Sequence, residues 1–115
     1  MALHLENTVD IIELMENWME RIRPPRDIRS DLDISYKIDN QSIILFEIRP
    51  SFGNPLELIE IPYAKTTYVK SENIWKVYWM RGNLKWTLYE PRPTVKTLKV
   101  FMKLVDEDKY FCFKG

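Results

Sequence analysis

The chain has 115 residues, 17 basic against 17 acidic, and one cysteine. That length supports a real core without staples and argues for a single domain over residues 1–115. A lone Cys112 excludes an internal disulfide, the start "MALHLENTVDII" lacks a basic region followed by a long apolar run, and no stretch is long enough to span a membrane. We therefore expect a cytoplasmic protein. The zero net charge hides a split. Met1–Pro62 holds 6 basic and 12 acidic residues, and Tyr63–Lys103 holds 9 basic and 2 acidic ones. Such a split either steers a charged partner or is neutralised internally on folding.

The first element is a helix from Thr8 to about Arg23, read from Val9, Ile12, Met15, Met19 and Ile22 at helical spacing. Asn7 or Thr8 is placed to cap its start, Glu6 and Asp10 suit the positive end, and Pro24 and Pro25 stop it. Leu32, Ile34, Tyr36 and Ile38 then alternate with polar residues, as in a half-buried strand. Asp39 and Asn40 tolerate turn geometry, so a hairpin returns the chain along Ser42–Arg49. There Ile44, Phe46 and Ile48 point one way, and Ile43, Leu45, Glu47 and Arg49 the other, which marks a central strand.

After the loop "SFGNP", Leu58–Lys70 reads as a strand bent at Pro62. Ala64, Thr66 and Tyr68 share one face, and Lys65, Thr67 and Val69 share the other. A turn at "SEN" leads to a fourth strand, Ile74–Met80, with Trp75, Val77 and Trp79 on one side. Gly82 and Asn83 permit positive φ in a hairpin to a fifth strand, Leu84–Tyr89. A second helix from Thr94 to about Asp106 presents Val95, Leu98, Met102 and Val105, with Phe101 beside them. The apolar tail "KYFCFKG" either adds an edge strand or packs on the sheet. The sum is an α+β fold: a five-stranded antiparallel meander with an N-terminal and a C-terminal helix packed on one face.

Two helices cover one face of five strands, so the other face would still carry large rings among lysines. Three readings are open. The rings form a protein contact surface, for instance in a homodimer through a sheet face or an edge. They stack on the bases of a single-stranded nucleic acid, with nearby Lys or Arg meeting phosphate. Or they fill the concave side of a curled sheet while lysine stems reach solvent.

Enzymatic chemistry has little to work with. His4 is the only histidine, which removes histidine-based metal sites and a Ser-His-Asp arrangement. No Walker loop or GxGxxG is present, so no cofactor is implied. Carboxylate chemistry through Glu47 remains, although Glu47 and Arg49, two apart on one strand face, more simply form an ion pair.

The segments "LFEIRP" (Leu45–Pro50), "PYAKTTYVKSENIWKVYWMRGNLKWTLYEP" (Pro62–Pro91) and "YFCFKG" resemble the bacterial family catalogued as domain of unknown function 3024. The resemblance runs from about Val9 to Gly115, with Lys114 standing where the family pattern has an aromatic residue. It implies the same compact fold and carries no activity, cofactor or partner. It singles out Glu47, Arg49, Lys65, Trp75, Tyr78, Trp79, Trp86 and Tyr89 as candidate interaction residues.

Overall fold

The computed structural model describes residues 5–114, with side chains from Thr8 onward; His4, and the side chains of Glu6 and Asn7, lie outside what is described. The elements in chain order are α1 (Leu5–Ile22), β1 (Asp33–Asp39), β2 (Ser42–Pro50), β3 (Leu58–Val69), β4 (Ile74–Met80), β5 (Trp86–Leu88), β6 (Thr94–Val95) and α2 (Leu98–Glu107). The strands form one antiparallel sheet in the order β1-β2-β3-β4-β5, and β6 also pairs with β4. The fold is the expected α+β meander with both helices on one face.

The strand registers sort the side chains. Ile34 and Tyr36 of β1, Ile43 and Leu45 of β2, Ala64 and Thr66 of β3, and Trp75 and Val77 of β4 line up on the inner face. From α1, Ile11, Met15, Trp18 and Met19 close over them, and from α2, Leu98, Phe101, Met102 and Val105 do the same. Trp18 is the hinge of this packing. It meets the Phe101 ring edge-on at 6.4 Å, and its indole N–H donates to Asp106 Oδ1 at 2.9 Å, so a large ring is buried without an orphaned donor. The Thr66 hydroxyl is also fully buried, and it donates to the Lys76 carbonyl at 2.8 Å.

Where the chain bends at Pro62, the β2–β3 register slips between Leu45 and Phe46. Tyr63 is the extra residue, and it turns into the core. The β1–β2 turn rests on Asn40 at φ 55°, and the β3–β4 turn on Asn73 at φ 51°; asparagine tolerates this left-handed region.

Several local expectations are corrected. Helix α1 begins at Leu5, so Asn7 and Thr8 lie within it and neither is its cap. Its buried stripe is Ile11, Met15, Trp18 and Met19, while Val9 and Ile12 face solvent. Seating the Trp18 ring inward sets the rotation of the helix. In the β4–β5 hairpin, positive φ falls on Leu84 (61°) and not on Gly82 or Asn83; the Asn83 Oδ1 instead accepts the Lys85 N–H at 3.1 Å. β5 is then only Trp86–Leu88, and Tyr89 leaves the strand to become core.

The second helix starts at Leu98, later than its periodicity implies. Thr94 and Val95 continue along the β4 edge as β6, and Thr97 caps α2 by accepting the Val100 N–H. Between β5 and β6 the segment Tyr89–Pro93 loops out. It is pinned by two bonds to Val77, whose N–H donates to the Pro93 carbonyl at 2.9 Å and whose carbonyl accepts the Tyr89 N–H at 2.8 Å. Pro91 and Pro93 have no N–H to give a ladder, which is why the strand breaks there. The tail packs: Phe113 lies under Tyr89 with ring centroids 4.8 Å apart. Asp108, left-handed at φ 42°, holds it by accepting the N–H groups of Phe113 and Lys114.

Candidate interaction face

The eight candidate residues separate into three places. Trp75 and Tyr89 belong to the core, 7% and 2% exposed. Trp75 leans on Tyr68 with ring centroids 5.0 Å apart, and the Tyr68 hydroxyl donates to Asn73 Oδ1 at 2.8 Å. Trp79 shares their face at its rim, half-buried, with the Arg81 guanidinium 5.9 Å from its ring.

Lys65, Tyr78 and Trp86 occupy the opposite, open face. Lys65 and Tyr78 are direct cross-strand partners, and Trp86 stands opposite Met80, one step along the same face. The Lys65 ammonium sits 4.8 Å from the Tyr78 ring centroid and 5.0 Å from that of Trp86. Both rings are half-buried. Burial lowers the Lys65 pKa, and the charge of the Asp39 carboxylate partly offsets this. Neither Lys65 nor Lys76, which shares this face, is in an ion pair among the described residues. The pattern repeats one strand away. Lys37 lies 5.4 Å from the Phe46 ring and 3.4 Å from Glu60 Oε1, and its stem helps bury Phe46 on the face away from both helices.

Glu47 and Arg49 lie elsewhere, on the inner side of β2. They form an ion pair with Arg49 Nη2 3.1 Å and Nε 3.2 Å from Glu47 Oε1. Nearby Tyr63 has a buried hydroxyl without a hydrogen-bond partner among the described residues. Burial, then the charges of Glu47 and Asp106, push that phenol far up, so it stays protonated. Among the described residues no group of three or more His, Cys, Asp or Glu side chains gathers as a metal site. The Cys112 thiol is also pushed up, by burial and then by Asp108, which makes it a poor nucleophile. The open-face arrangement can place a cation and two amphipathic rings against a partner.

Of the open-face residues, Lys37 and Phe46 were not singled out from sequence. Their signal was present in the alternation that put Phe46 on the same side as Ile44 and Ile48.

The chain belongs to the family described as Domain of unknown function (DUF3024), whose model matches residues 4–115. No curated protein and no solved structure matches it.

Proposed function

We propose that this protein is a binding domain, not a catalyst, and that its contact surface is the open sheet face around Lys65, Tyr78 and Trp86. One observation carries the reading: an ammonium held over two half-buried rings, with no carboxylate paired to it among the described residues, on the face away from both helices. Rings that are already partly dehydrated lose little on further burial, and an unpaired cation rewards a partner that brings an acid. The partner that fits is a protein surface with an apolar patch and a carboxylate to meet Lys65. A cytoplasmic location accords with the single, unpaired cysteine and with the lack, among the described residues, of a helix long and apolar enough to cross a membrane.

Single-stranded nucleic acid is the second reading, favoured by the basic, aromatic character of the same face. It weighs less because the Lys65 ammonium already occupies ring faces on which a base would stack, and because Trp75 is enclosed in the core.

The test is site-specific photo-crosslinking in the producing cell. A photoreactive residue at Thr67, on the open face, should give a defined protein adduct, and one at Val9, exposed on the outer side of α1, should not. Trp86→Ser should remove the adduct. Equal adducts from both positions would overturn the proposal. A mixed-sequence oligonucleotide bound at low salt, with affinity falling steeply as salt rises, would move the assignment to nucleic acid.

A further inference from the structure

The β2–β3 hairpin projects beyond the rest of the sheet. β2 pairs with β3 along its whole length, but β4 pairs with β3 only from Ala64 onward. Residues Leu58–Ile61 therefore have β2 on one side and, among the described residues, no strand on the other. The tip is a defined turn: the Ser51 N–H donates to the Glu57 carbonyl at 2.7 Å, and Asn54 Oδ1 accepts the Leu56 N–H at 3.1 Å. Yet it carries Phe52 (107% exposed), Leu56 (94%), Leu58 (61%), Ile59 (39%) and Ile61 (38%). Open edges in single-chain proteins are guarded by charge, proline or a covering element, and large apolar residues on one mark a contact.

We propose that this arm joins two copies of the chain, edge to edge, by antiparallel pairing of Leu58–Ile61 about a two-fold axis. The sequence "LELIEIP" (Leu56–Pro62) suits pairing with itself. Residues directly opposite in an antiparallel ladder share a face, so the axis must pass through a residue and not between two. Centred on Ile59, the register sets Ile59 against Ile59, Leu58 against Glu60, Glu57 against Ile61 and Leu56 against Pro62. Every acid then meets an apolar side chain. Centred on Glu60, the register sets two like charges face to face, which is unfavourable. In the first register the Glu60 carboxylate keeps its own Lys37, 3.4 Å away. Leu56, Leu58, Ile59 and Ile61 offer roughly a few hundred Å² of apolar surface per chain, which together with the paired backbone is the scale of a weak, reversible dimer contact. The same edge closes two arms at once, as a two-fold contact requires. This dimer contact lies apart from the open sheet face and leaves that face free.

Sedimentation of the full chain over a concentration series tests the proposal. A monomer–dimer equilibrium is expected. Ile59→Lys sets two ammonium groups against each other and should weaken the dimer at least about tenfold, whereas Lys65→Met should leave it unchanged. Register is read by cross-linking in a Cys112→Ser background. Ile59→Cys should form an inter-chain disulfide, because residues opposite each other lie ~4.5–5.5 Å apart at Cα. Ile61→Cys, facing the second copy's Glu57, should not. A monomer at every concentration, a dimer indifferent to Ile59→Lys, or equal cross-linking at both positions would overturn the proposal. So would a monomer whose Leu58–Ile61 amides become protected only when a different protein is added, since the edge would then belong to a foreign strand.

Discussion

Replacing Lys65 with methionine separates a contact residue from a structural one. Methionine keeps an unbranched stem over Tyr78 and Trp86 and removes the charge. Two cation–π contacts are lost, at 4.8 and 5.0 Å. At a partly exposed site each contributes roughly 0.5–1 kcal/mol. Against this, the thioether recovers about 0.3–1.5 kcal/mol of sulfur–ring contact, and the desolvation that lowers the Lys65 pKa disappears. The terms nearly cancel, so stability should change by no more than about 1 kcal/mol. The assay is urea unfolding followed by tryptophan fluorescence, paired with the yield of the Thr67 photo-adduct. The account expects an almost unmoved unfolding midpoint and an adduct yield lower by about tenfold or more. The pH dependence supplies a further sign. A lysine pKa lowered by folding is a penalty that is fully present below the folded-state value and gone above the ordinary value of 10.5. Wild type should therefore gain stability relative to Lys65→Met as pH rises through that window. A loss of more than about 2 kcal/mol at neutral pH, with the adduct intact, would make Lys65 a structural residue and refute the reasoning.

Trp18→Phe keeps most of the ring packing on Phe101 but loses the indole bond to Asp106, and should cost about 1–2 kcal/mol in urea unfolding. Arg23 holds Asp33 by two bonds of 2.9 and 2.7 Å, and this hydrogen bonding lowers the carboxyl pKa below its usual 3.8. That stabilisation, about 1 kcal/mol for a partly exposed pair, is present above 3.8 and lost as pH falls through the folded-state value; stability measured against pH in Asp33→Asn should lack the step. Thr97→Ala removes the α2 cap and should cost about 1 kcal/mol, with the change in hydrogen exchange concentrated in the first turn of α2.

The strand faces were legible because a period of two leaves little freedom. Once Ala64, Thr66 and Tyr68 were set on one side, Lys65 had to take the other. The bend at Pro62 and the turn at Asn40 were legible for the same local reason. The face that the helices would choose was not. Trp75 and Trp86 are the same residue type in neighbouring strands, and only the pairing of Met80 with Trp86 puts Trp86 on the open side. The rotation of α1 was also hidden. Val9 and Ile12 fit a helical spacing as well as Ile11 does, and the need to seat Trp18 against Phe101 decides between them. The late start of α2 reflects the β4 edge, which captures Thr94 and Val95 before helical periodicity can act on them. The open edge at Leu58–Ile61 was hidden because it depends on β4 pairing with β3 only from Ala64 onward, which the segment's own residues do not encode.

The central claim is that a partner meets the face bearing Trp86. Fluorine NMR of the protein labelled with 5-fluorotryptophan reads all four indoles at once. On addition of the photo-captured partner in purified form, the Trp86 resonance should shift and lose its solvent isotope effect, while those of Trp18 and Trp75 stay in place. Binding that left Trp86 unmoved and still open to solvent would contradict the account.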